Sequence, residues 1–76
     1  MPHFYFDIIH DDQRSSQVSS ELPDRDTAWG HAVRAAGEMI RDLGPKFRPG
    51  TDWRMDVADS THKYIFSVRF VGDAYD

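Results

Sequence analysis

Wound at 3.6 residues per turn, the stretch from Asp24 to Leu43 gathers Ala28, Trp29, Ala32, Val33, Ala36, Met39, Ile40 and Leu43 onto one arc. The opposite arc carries His31, Arg34, Glu38, Arg41 and Asp42. A helix with a single dry side needs one apolar surface to cover, and this requirement constrains the rest of the chain. Asp24 is placed to cap the helix and Asp26 lies in its first turn, where the dipole favours negative charge. Two carboxylates at that end repel an anion, which argues against a phosphate site there. Gly44 and Pro45 end the helix by offering a left-handed position and then a residue that cannot continue it.

Both flanks of the helix read as strands. From His3 to Ile9, Phe4, Phe6 and Ile8 alternate with His3, Tyr5, Asp7 and Ile9, the period of a half-buried strand. The polar run His10 to Ser16 predicts a turn. Gln17 to Leu22 then resumes the alternation, with Val18 and Leu22 on one side and Ile8 opposite Val18. Pro23 ends that strand because it lacks an amide for the ladder. Phe47, the only large apolar residue between Lys46 and Gly50, is expected to lid one end of the core.

The last third predicts a second hairpin, turning at Asp59 to His62, with Val57 opposite Tyr64, Met55 opposite Phe66, Trp53 opposite Val68 and Asp52 opposite Arg69. Trp29, Val33 and Ile40 are expected to pack on Phe4, Phe6, Met55 and Phe66. The resulting reading is α+β, in the order ββαββ: one four-stranded antiparallel sheet with a single amphipathic helix packed on one face. Residues 1–76 form one small domain, and the patternless tail 71–76 is expected to be loose. One helix leaves one sheet face uncovered, carrying Tyr5, Ile9, Ile65, Arg54 and Arg69 among its residues.

At 76 residues and 8.8 kDa, such a domain buries only about 60% of the surface its unfolded chain exposes, so stability is marginal without a staple or a partner. With Cys 0 there is no disulfide and no thiolate nucleophile, which favours a reducing compartment and makes self-association the source of extra burial. A net charge of -4 and a pI of about 5.4 argue against a general polyanion binder. No apolar run approaches the roughly 18 residues of a membrane span, and Met1 onward lacks the basic and apolar regions of a signal peptide. The expected location is the cytoplasm.

Candidate chemistry is sparse. His10, Asp11 and Asp12 are metal-capable, yet neighbours in a loop seldom converge on one ion, and no spaced partner follows. His31 reads as a residue of the polar helix arc and His62 as a turn residue. Ser15, Ser16, Ser19 and Ser20 lack the base, orienting group and oxyanion site that a nucleophile requires. No catalytic, metal or cofactor-binding residue is assigned.

The opening Met-Pro-His-Phe-Tyr-Phe-Asp-Ile, the Glu21-Leu22-Pro23-Asp24 segment before an alanine-bearing helix, and the closing hairpin resemble the short bacterial proteins grouped as domain of unknown function 6894. The resemblance covers nearly the whole chain and implies a small cytoplasmic ββαββ protein without assigned activity. It departs at Asp59-Ser60-Thr61-His62, where that family commonly carries glycine in the turn. The functional expectation is a non-catalytic interaction module, a homodimer or a subunit docking on a protein partner, with Tyr5, Ile9, Ile65, Arg54 and Arg69 as its candidate interface. The competing expectation is a nucleic-acid-associated regulator using Arg, Lys and aromatic residues on the sheet face or helix flank.

Overall fold

The computed structural model describes residues 1–10 and 13–75, with the backbone alone for 15–17. Its elements are β1 (His3–His10), β2 (Gln13–Glu21), α1 (Arg25–Leu43), a 3-10 turn (Gly44–Lys46), β3 (Asp52–Ala58) and β4 (Tyr64–Val71). The described residues make an α+β unit in which all strands pair antiparallel, in the order β2-β1-β3-β4. The two hairpins therefore meet through their first strands, β1 against β3. One helix covers one face.

The helix is bounded by the expected caps. The Asp24 carboxylate accepts the Thr27 amide at 2.8 Å, and Gly44, at φ 52°, donates its amide to the Ile40 carbonyl.

Its phase differs from the one expected. Ala28, Ala32 and Ala36 take the buried side, whereas Trp29, Val33 and Ile40 are 43%, 47% and 37% exposed. Trp29 still reaches Phe66, ring centroids 5.3 Å apart, but Val33 and Ile40 do not lie in the core. An alanine stripe lets a helix settle closely onto large sheet residues. The core therefore joins Ala28 and Ala32 to Phe4, Phe6, Met55 and Val57. His31, expected on the polar arc, is half-buried with its ring 4.8 Å from that of Phe6.

Both hairpin registers differ by two residues from those expected. In the first, Phe6 faces Val18 and Phe4 faces Ser20, with an irregularity between Ile8 and Ile9. Gln13 to Ser16, expected as turn, belongs to β2: polar residues extend an edge strand at little cost because its outer side faces water. Leu22 lies past the strand end, where its amide donates to the Pro2 carbonyl at 3.1 Å and its side chain packs on the core.

In the second hairpin Ala58 faces Tyr64, Val57 faces Phe66, Met55 faces Val68 and Trp53 faces Phe70. A bulge between Val57 and Ala58 absorbs Ile65 as an extra residue, which the reading from alternation alone did not provide for. Arg69 consequently faces Arg54. It meets Asp52 only diagonally, at 3.7 Å.

Shifts of two preserve side-chain parity, so the core face stays apolar despite both errors. Phe47 lies against Phe70, centroids 5.5 Å apart, closing the end of the sheet near the helix C-terminus. His10, Trp53 and Phe70 continue that aromatic row across three strands. The chain beyond β4 is held at its start: Gly50 donates to the Gly72 carbonyl at 2.7 Å. Tyr75 is almost fully exposed.

Candidate interaction surface

The sheet face away from α1 is not bare. At its centre Asp7, only 2% exposed, forms an ion pair with Arg14 from β2 and accepts the Tyr64 hydroxyl from β4 at 3.1 Å. The Arg14 guanidinium also stands 5.5 Å from the Tyr64 ring centroid. Two side chains from opposite edges thus meet above the inner strands. A buried carboxylate needs such partners, because an ion removed from water without them is strongly destabilising.

The five residues expected at an interface divide accordingly. Tyr5 is half-buried with its ring stacked on His62, centroids 4.3 Å apart. Ile9 is 7% exposed, and the register sets Arg14 and Arg54 on either side of it, where their aliphatic stems can cover it. Ile65 packs partly against the core cluster. Arg54 lies 3.0 Å from Asp56 with its N–H not aimed at the acceptor, and Arg69 pairs with Asp52. The expectation of an uncovered face displaying Ile9 and Ile65 is therefore corrected. Long polar side chains from the edge strands close over the middle, an arrangement that strand alternation does not reveal.

The β3–β4 turn is organised by Asp59. Its carboxylate accepts the Thr61 hydroxyl at 2.6 Å, the Thr61 amide at 2.9 Å and the Lys63 amide at 3.1 Å. The Thr61 hydroxyl first, and then the Lys63 amide, hold the Asp59 carboxyl below its ordinary value. Asp24 is lowered in the same way by the Thr27 amide. His62 takes the left-handed position at φ 67°, the conformation that glycine adopts without strain.

Two surfaces involve the helix. Between α1 and the β1–β2 hairpin runs a groove of about 430 Å³, floored by Phe6, Ile8, Val18, Met39 and Met55, with Glu38, Asp42 and Lys46 among its lining residues. The groove exists because one helix is narrower than the sheet: α1 lies closest to β3 and β4, leaving Val18 mostly exposed. On the other flank Trp29, Val33 and Ile40 form an exposed apolar line one to two turns apart. Sequence periodicity puts Ala28, Ala32 and Ala36 on the dry arc, as found, but counts Trp29, Val33 and Ile40 as equally inward, where the ladder of small residues alone marks the side that meets the sheet.

Among the described residues no group of three or more His, Cys, Asp or Glu could hold a metal ion. Asp11 and Asp12 lie outside the described residues, as do the side chains of Ser15 and Ser16. Among the described residues, no helix is long and apolar enough to cross a membrane.

No match was found among curated proteins or among solved structures. The family model of the Domain of unknown function (DUF6894) matches residues 3–71, and the chain belongs to that family.

Proposed function

We propose that this member of the family is a non-catalytic interaction module, built on a ββαββ unit, that pairs with a second copy of itself. The observation that carries the reading is the exposed line of Trp29, Val33 and Ile40 on α1. Isolated surface apolars are ordinary, but here a tryptophan and two β-branched residues align on a helix whose inward side is taken by alanines. An 8.8 kDa chain also has little internal burial to rely on, so an apolar flank that becomes covered on association adds stability it otherwise lacks. The family resemblance and the cysteine-free sequence favour a bacterial cytoplasmic setting.

Light scattering and sedimentation from low to high micromolar concentration test the reading. The wild-type chain should dimerise. Val33→Glu should remain folded, since Val33 is half exposed, and run as a monomer. A wild-type chain that stays monomeric at high micromolar concentration overturns the reading. The nucleic-acid alternative has weaker support, because Arg54 and Arg69 stand beside Asp56 and Asp52. Oligonucleotide affinity that falls steeply with added salt would favour it over the present reading.

A further inference from the structure

We infer that the second copy binds with the two α1 helices antiparallel about a two-fold axis passing between Val33 and Arg34, so that Asp26 of each chain faces Arg41 of the other. This rests on the dimer reading above and specifies its surface. At 100° per residue, Trp29, Ile40 and Val33 occupy one narrow arc, and the arc next to it on the solvent side carries Asp26, Gly37, Gly30 and Arg41. Along this flank the charge runs from acid at the N-terminal end to base at the C-terminal end. A parallel copy would set Asp26 against Asp26 and Arg41 against Arg41. An antiparallel copy sets acid against base twice and opposes the helix dipoles.

The glycines supply an independent constraint on register. Gly30 and Gly37 share their midpoint with Asp26 and Arg41, between Val33 and Arg34, so the axis that pairs the charges also sets each Gly30 beside the partner's Gly37. Among the described residues of one chain, a Cβ at either glycine would meet nothing within 4 Å beyond the helix's own backbone. No close contact among the described residues calls for glycine at these positions, although glycine weakens a helix relative to alanine. Bare backbone there lets two helices close until Val33 meets its own copy, with Trp29 and Ile40 covering either side. Arg34 lies further toward solvent, where Glu38, one turn on, offsets its charge.

The test is a charge exchange read by sedimentation equilibrium at low salt. Asp26→Arg alone and Arg41→Asp alone should each weaken the dimer roughly tenfold, because the two-fold repeats every like-charge contact. An equimolar mixture of the two variants should regain near wild-type affinity as a heterodimer in which both pairs are restored, and the double variant should do the same on its own. Circular-dichroism melts of the dilute variants report folding separately. A mixture no tighter than its components overturns this pairing while leaving a dimer in place. A monomeric wild-type chain overturns the dimer reading and this pairing together.

Discussion

Tyr64 reaches over β3 to donate its hydroxyl to Asp7 at 3.1 Å, while Arg14 closes on the same carboxylate from the opposite edge of the sheet. Both edge strands are thereby fastened to one buried group on β1. Removing the hydroxyl in Tyr64→Phe should destabilise the fold by about 1.5–3 kcal/mol, the range for a hydrogen bond to a charged group. In an Asp7→Asn background the same change should cost less, and a double-mutant cycle by urea denaturation measures the coupling. Equal costs in both backgrounds would show that the contact contributes nothing.

The phase of the helix makes a contrast that chemical denaturation of dilute protein can resolve. Ala32 is fully buried against Phe4, Phe6 and Met55, so Ala32→Leu overpacks and should cost about 1–3 kcal/mol or more. Ile40 is more than one-third exposed, and Ile40→Ala should cost below about 2 kcal/mol, short of the usual range for a buried isoleucine.

At the two helix glycines, stability and association should move in opposite directions. Beyond the helix's own backbone, a Cβ at Gly30 or Gly37 meets nothing within 4 Å among the described residues, so each alanine substitution should raise the stability of the dilute protein by about 1 kcal/mol. The dimer of the doubly substituted chain should be weaker by sedimentation, since the added methyl groups hold the helices apart. Stabilisation without weaker association would mean that the glycines serve no approach.

The pH dependence follows from Asp59 and Asp24, both held below their ordinary values by bonds that require the ionised form. A carboxyl depressed in the folded state contributes stability above its unfolded value, near 3.8, and loses it as pH falls through the depressed one. Melting temperature should therefore fall as pH is lowered from about 5 to 2. Asp59→Asn should flatten part of that fall, and an unchanged acid profile would contradict the turn geometry.

Much of the fold was legible because its signals are local. Pro23, Asp24, Gly44 and the alternations around Phe6 and Met55 mark element boundaries and faces without reference to anything distant. The family was legible from the opening octapeptide and the Glu21 to Asp24 segment. The registers were not, since parity fixes a face but leaves a shift of two undecided, and a bulge at Ile65 leaves no trace in composition. Hydrophobicity misled at Trp29, Val33 and Ile40, because close approach to the sheet rewards small volume at Ala28, Ala32 and Ala36 over apolar mass. The closing of Arg14 and Tyr64 over Asp7 depends on three strands meeting, and only the assembled sheet shows it.

The off-centre seat of α1 over β3 and β4 divides the sheet into unequal kinetic halves. β2 is paired on one side only and carries a mostly exposed Val18, whereas β3 lies between two strands and beneath the helix. Amide hydrogens of β2 should exchange by a small opening that leaves the core intact, while those of β3 should wait for global unfolding. If β2 opens ahead of the rest in this way, the groove beside Val18 would change width without the molecule unfolding.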